Sequence, residues 1–434
     1  MLKETIAPWI RAVLRPFFAA RFRRGKGKKR VLFAAHNALT ADYLAEVWEL
    51  VRNDPRLDCH LCLRRPEHHP GDWNACRALL PLPEVQLRWA NVMPWDIVVV
   101  ADHFCFPALT TPWRHAVLRI SHGIGSKKQA NGEDYFYGNA CFDPQGRVLY
   151  SCLFESSFTR LEQAKQSNPT VASRTSVVGS LRADRIAAAI HEHGRAIAGD
   201  ASRKPRVLIA CSWGKGNLLD RYGDVLLEAA TSLRETYDFV LRPHPHFLSP
   251  RFSDGANWRG QFEALDRSGI CFSPPSESVV GAISTADVVL TDDLSSIGLL
   301  TALAGGRVII APSFSPTAGE ETFLGRLRRC VPNLLQGDQL ASALAEALTT
   351  WPPQGLPQLV SEMNGEPGRS VELVRGEFYR LLQLSPPVEP ARRSRAPFPP
   401  AEVILDSQIV SAPAGVPGKP GSPHKNKTKR SSAR

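Results

Sequence analysis

The sequence predicts an α/β protein of two Rossmann-like parallel-sheet domains in tandem, facing each other across a cleft. Three observations carry that expectation. Short apolar runs that stop abruptly in polar residues recur along the chain, the pattern of strands buried on both faces of a parallel sheet. Helical stretches separate them, so strands and helices alternate. The series also starts twice, at Arg30-Val31-Leu32-Phe33-Ala34-Ala35-His36 and again at Arg206-Val207-Leu208-Ile209-Ala210-Cys211. A chain of 434 residues is long enough for two domains with cores of their own.

The first 30 residues read as a basic, amphipathic, membrane-associating segment. Ile6, Trp9, Ile10, Val13, Leu14, Phe17 and Phe18 form an apolar helical stripe, with Arg11 and Arg15 on another face. Charges and Pro16 interrupt it well short of the ~18 apolar residues a spanning helix needs. Arg21, Arg23, Arg24, Lys26, Lys28, Lys29 and Arg30 follow. An apolar wedge beside a polybasic patch is the two-signal arrangement for holding a protein on anionic lipid, so a cytoplasmic protein peripheral on the inner face of the cell membrane is expected.

Residues 31–190 form the expected first domain. Its strands are placed at 30–36, 58–63, 96–101, 116–121 and 148–153, with a helix over 40–51. The boundary falls in 185–205, where an Ala-rich helix gives way to Gly199, Asp200, Ser202 and Lys204. Residues 200–385 form the second domain, with strands at 206–211, 237–241, 287–290 and 308–311 and a closing helix at 371–382. Beyond residue 385 a Pro-, Ser-, Gly- and Lys-rich tail has little to bury and is expected to be disordered.

Charge and cysteine usage exclude several classes. The formal net charge of +11 is concentrated at the two ends, leaving a mildly acidic body, so nucleic acid is not an expected partner. Nine cysteines without a spaced framework fit a reducing compartment. Cys59-His60-Leu61-Cys62 is the only C-x-x-C, and the alternation of Leu57, Cys59, Leu61 and Leu63 reads as a half-buried strand, so no metal is expected. No G-x-G-x-x-G follows either first strand, which argues against dinucleotide chemistry, and no cofactor is expected.

Ligands of open parallel sheets sit beyond the carboxyl ends of the strands, which makes the polar residues there functional candidates. One apolar run ends in His122-Gly123-Ile124-Gly125-Ser126-Lys127-Lys128. Its glycines permit tight turns, and its histidine can exchange a proton near neutral pH. Another ends in Arg242-Pro243-His244-Pro245-His246, where the prolines stiffen the turn and Arg242 and His244 are suited to a diphosphate. A third ends in Asp292-Asp293-Leu294-Ser295-Ser296, the two serines lying where the N-cap of the next helix is expected, a natural anion site. Ser212-Trp213-Gly214-Lys215 adds a lysine at a fourth strand end.

In order and composition these motifs resemble the CDP-glycerol glycerophosphotransferase family, which builds glycerol phosphate polymers of bacterial teichoic acids and related capsules. The resemblance spans roughly residues 95–315. His122, Gly123 and Lys127 match its H-G-x-x-x-K segment, implying His122 as general base. Gly179-Ser180-Leu181-Arg182-Ala183-Asp184 matches G-x-P-R-x-D except at Leu181. Residues 210–215 are similar to an A-P-T-x-R loop but lack its Pro and Arg. Arg242, His244 and Pro245 match R-x-H-P, implying diphosphate contact, and Asp293, Ser295 and Ser296 match T-D-Y-S-S with Leu294 in place of the Tyr. Leu300 stands near a position where Asp is common. The resemblance implies a GT-B fold, with a last helix crossing back, and a lipid-linked or glycan acceptor.

The implied reaction is attack of an acceptor hydroxyl on the β-phosphorus of a CDP-alcohol, releasing CMP. His122 and His244 are the expected catalytic pair, with Gly123, Lys127, Arg182, Lys215, Arg242, Asp293, Ser295 and Ser296 on the substrates. A GT-B nucleotide-sugar glycosyltransferase, a sugar-nucleotide 2-epimerase, and a catalytically silent membrane-associated binding protein are the alternatives.

Overall fold

The computed structural model describes residues 27–64, 73–91, 93–103, 114–121, 129–130, 133–134, 136–143, 145–196, 202–212, 216–244, 269–273, 277–313 and 322–387. The membrane-associating segment expected in 1–30 lies almost wholly outside them, as does the tail from 388 onward. Among the described residues no helix is long and apolar enough to cross a membrane.

Eleven strands form two parallel sheets. The first holds β1 (Lys29–Ala35), β2 (Leu57–Leu63), β3 (Trp95–Val100), β4 (Arg114–Ile120), β5 (Cys152–Glu155) and β6 (Thr175–Val177), in the order β2-β1-β3-β4-β5-β6. The second holds β7 (Arg206–Ala210), β8 (Asp238–Arg242), β9 (Cys271–Phe272), β10 (Val288–Asp292) and β11 (Arg307–Ala311), in the order β9-β8-β7-β10-β11. Apolar runs suit such strands because both faces are covered. Val31, Phe33 and Ala35 of β1 enter one core while Leu32 and Ala34 enter another.

Six helices matter for the site: α1 (Ala38–Val51), α2 (Leu181–Ala196), α3 (Leu218–Ser232), α4 (Ser296–Leu303), α5 (Phe323–Cys330) and α6 (Ser370–Leu382). Asn37 starts α1 with a capping box, its side chain accepting from Thr40 N while Thr40 reaches back to the cap backbone. The chain crosses between the sheets at α2 and α6. Ala183 and Ile186 of α2 pack with Leu208 and Leu299 in the core of the second sheet. Val374, Phe378 and Leu382 of α6 pack with Val31 and Phe33 in the core of the first.

Several strand assignments differ from the sequence expectation. The strand expected at 148–153 begins only at Cys152. Val148 is instead paired antiparallel to Phe142 across a turn in which Asp143 accepts from the backbone of Gln145 and Arg147. The short strands β6 and β9 carry no apolar run to announce them, and each sits at a sheet edge with a single neighbour. The strand expected at 237–241 runs one residue further and takes Arg242 into the sheet. Cys59 and Cys62 lie on β2 as the alternation suggested, and burial pushes each thiol up to about 12.

Candidate functional site

The carboxyl edge of the second sheet is held together by carboxylates and one arginine. Arg242, the last residue of β8, is buried, with Nη1 donating to Ser273 Oγ at 2.9 Å and Nη2 to the Glu277 carbonyl at 2.7 Å. Burial works to lower its pKa, opposed by the charges of Glu277 and Asp42, and an arginine in such company keeps its proton. His244, two residues on, is half-buried, and its backbone bonds the Cys211 sulfur just past β7. The turn after β8 thus leans over the end of β7, the central strand.

On the other side of β7, β10 ends in two buried aspartates with different partners. Asp292 accepts from the N–H groups of Ser212 at 2.8 Å, Leu218 at 3.2 Å and Leu294 at 3.1 Å. Burial raises its pKa and these donors oppose the rise. Asp293 accepts from Ser313 N at 2.9 Å and pairs with Arg328 of α5 at 3.1 Å. Ser295 is the N-cap of α4, its hydroxyl accepting from Ile297 N at 3.2 Å, and Ser296 is the first helical residue. Arg242 and His244 therefore stand on one side of β7 and the serine pair on the other.

The first sheet meets this edge through α1 and α2. Ser121, just past β4 of the first sheet, Tyr43, Glu46, Gly179, Arg182 and, from the second, Leu300 of α4 line one cleft. Arg182 is buried among them. Nε donates to Glu46 Oε1 at 2.6 Å, Nη2 pairs with Asp42 Oδ2 at 2.8 Å, and the guanidinium lies 3.7 Å from the Tyr43 ring centroid. Burial raises the pKa of Glu46, against which Arg182 acts. Burial alone would lower the pKa of Arg182, and Glu46, Tyr43 and Asp42 together raise it. Asp42 also acts electrostatically on Arg242.

The rest of the G-S-L-R-A-D segment works as a joint. Gly179 has φ +76°, and a Cβ there would lie 3.1 Å from the Asn364 Oδ1 and Glu366 carbonyl oxygens, so glycine is required by both backbone and space. Asp184 accepts from Gly368 N at 2.9 Å and Ser370 N at 3.1 Å, fixing the start of α6.

Of the residues expected at the site, Arg182, Arg242, His244, Asp293, Ser295 and Ser296 are described, whereas His122, Gly123, Lys127 and Lys215 lie outside the described residues. Arg182 and Asp293 are engaged by partners within the protein. Sequence reasoning did not find Asp42 and Glu46, although acids four apart on the helix expected at 40–51 were a visible signal. It also passed over the polar ends of two strands it had placed, His36 after β1 and Asp102 after β3, which pair at 3.0 Å. Among the described residues no group of three or more His, Cys, Asp or Glu side chains is placed to hold a metal.

Two parallel sheets with helices, bridged by α2 and α6, define a GT-B-type α/β fold. Solved structures share it. The chain is similar to the wall teichoic acid polymerase TagF, with a TM-score of 0.57 at 13% identity to a variant soaked with CDPG, covering 88% of this chain and 95% of that one. A second TagF structure gives 0.56 at 13% identity, covering 82% and 90%. A UDP-GlcNAc 2-epimerase from Neisseria meningitidis bound to UDP-GlcNAc gives 0.50 at 14% identity, covering 81% and 100%. No family profile and no curated protein matches the chain.

Proposed function

We propose that this chain is a CDP-alcohol phosphotransferase that moves glycerol phosphate, or a related alcohol phosphate, from its CDP donor to a lipid-linked or glycan acceptor and releases CMP, in bacterial cell-surface polymer synthesis. The observation that carries the reading is the carboxyl edge of the second sheet. Arg242 and His244 flank the central strand on one side, and the Ser295–Ser296 helix start flanks it on the other. A braced cation, an imidazole and a helix N-terminus converging on one edge suit a diphosphate, whose transfer needs chiefly positioning and charge stabilisation. The fold shared with TagF supports the same reading.

In this account Arg242 and His244 bind the donor diphosphate and support the departure of CMP, with the serine pair across the central strand and Lys215 as a further donor contact expected from the sequence. Arg182 and Asp293 shape the cleft through the partners they hold. The acceptor hydroxyl loses its proton to a histidine of the first lobe, which the resemblance places at His122, with Gly123 and Lys127 of the same motif. The basic amphipathic segment in 1–30 keeps the protein at the inner membrane face, near a lipid-linked acceptor. Residues 31–190 are the acceptor side and 200–385 the donor side.

The similarity to an epimerase bound to UDP-GlcNAc favours one second reading, a nucleotide-sugar enzyme on the same fold. A nucleotide-release assay separates them. Purified full-length chain is given CDP-glycerol, CDP-ribitol and a panel of UDP- and dTDP-sugars, with membrane lipid extract as acceptor. CMP release that disappears in Arg242→Ala and His244→Ala is the expected result. Release only of UDP or dTDP moves the protein to the second reading, and release of no nucleotide contradicts both.

A further inference from the structure

Open parallel sheets receive ligands at their carboxyl edge, yet the second sheet also has a pocket at the opposite, amino edge. A cavity of about 370 Å³ lies there, large enough for a small organic molecule. Its walls include Arg206, Asp238 and Cys271, the first residues of β7, β8 and β9, together with His193 of α2. Arg206 and Asp238 stand opposite each other in register. Their side chains share the face of Leu208 and Val240, two residues further along each strand, and that face packs against Ala183 and Ile186 of α2. The same helix brings His193 to the strand ends. Arg242, at the far end of β8, is four residues from Asp238, about 13 Å along the strand.

The polar groups facing this space are only partly used within the protein. Arg203 is used, its Nη2 donating to both oxygens of Asp287 at 2.7 Å. Asp287 also accepts from the Arg206 backbone N–H at 2.6 Å. That carboxylate is thereby committed, and among the described residues none pairs with the Arg206 guanidinium. Nε2 of His193 is buried and has no hydrogen-bond partner, a costly state for a polar atom unless a ligand relieves it. Asp238 is exposed at the rim. A guanidinium fork beside an imidazole N–H suits a phosphate. A carboxylate at the rim repels a bare anion and accepts from a hydroxyl. One molecule that carries both a phosphate and a hydroxyl satisfies all three side chains.

We propose that this pocket binds a small hydroxylated phosphomonoester, a polyol or sugar phosphate, at a site separate from the donor diphosphate. The Arg206 guanidinium and His193 Nε2 hold its phosphate, and one of its hydroxyls donates to Asp238. Val240, buried beneath them, closes the pocket on its inner side. The Arg203–Asp287 pair holds the backbone of Arg206 in place. The site is independent of the phosphotransferase reading, since none of its residues belongs to the carboxyl edge.

The test measures binding of glycerol 3-phosphate and of inorganic phosphate to the full-length chain by calorimetry. Alkylation of the Cys271 thiol, exposed at the pocket wall, is followed by peptide mass spectrometry as a report from the pocket itself. Glycerol 3-phosphate is expected to bind more tightly than phosphate and to slow the alkylation. Arg206→Gln alters a guanidinium without a carboxylate partner, so it is expected to melt with the wild type while weakening the ester at least about tenfold. Asp238→Ala is expected to remove the preference over inorganic phosphate, and Arg242→Ala to leave binding within about twofold. Binding weakened by Arg242→Ala but not by Arg206→Gln places the ligand at the carboxyl edge and overturns the proposal. Inorganic phosphate bound as tightly as the ester overturns it too, leaving an anion site without selection for a hydroxyl. A wild-type chain that binds neither, with Cys271 alkylated at an unchanged rate, overturns it outright.

Discussion

Each sheet reverses its strand order once, between β1 and β3 in the first and between β7 and β10 in the second, and the two reversals are closed by different chemistry. In the second, Asp292 collects three backbone N–H groups from the loops after β7 and β10. Both oxygens are engaged by backbone donors. In the first, the carboxylate of Asp102 meets an imidazole. The same topology thus produces a carboxylate held by backbone donors in one sheet and an imidazole–carboxylate pair in the other. The fold fixes where a site falls, and the residue type at the strand end decides what the site does.

Four substitutions or conditions sharpen or break this contrast. The largest effect is expected for Asp292→Ala, which strands three buried donors at about 1–3 kcal/mol each. A loss of about 4 kcal/mol in urea unfolding is expected, against about 1 kcal/mol for His36→Ala. Equal losses would erase the difference between the two reversals. Next is Arg182→Ala, which leaves Glu46 buried without its partner and should cost about 3 kcal/mol, most of it recovered by adding Glu46→Gln. Arg242→Ala is expected to weaken CDP-glycerol binding at least about tenfold by calorimetry, since a charged hydrogen-bond donor is lost from the carboxyl edge of the second sheet.

The smallest effect is pH-dependent and belongs to the first lobe. Asp54 accepts from Tyr379 of α6 at 2.7 Å, and Arg56 holds its pKa down to about 2, the hydrogen bond to that guanidinium being the main cause. A carboxylate lowered on folding adds stability above its unfolded pKa of about 4, and that stability is lost as pH falls toward 2. Unfolding curves of wild type and Asp54→Asn should therefore differ at pH 5 and converge near pH 2.

The strand ends were legible because apolar runs stop sharply, which marks Arg242, His244 and the serine pair as candidates from the sequence alone. The same logic applied to the runs ending at His36 and Asp102 would have found that pair, and only the more conspicuous motifs drew it away. What the sequence does not carry is partnership over distance. Arg182 and Glu46 are 136 positions apart, and Arg182 reads as a ligand contact until its carboxylates are seen. Asp292 is bound by backbone donors, which have no residue type to read. The strand at 152–155 was misplaced because the apolar residues before it serve a local turn, a competition between short- and long-range pairing that composition does not reveal.

The measurement that bears most directly on this account is a crystal structure of the chain with CDP-glycerol. The diphosphate is expected at the carboxyl edge of the second sheet, its oxygens within hydrogen-bond distance of Arg242 and of the Ser295–Ser296 helix start. A nucleotide seated instead at the carboxyl ends of β1 and β3, against His36 and Asp102, would contradict the assignment of the donor to the second sheet.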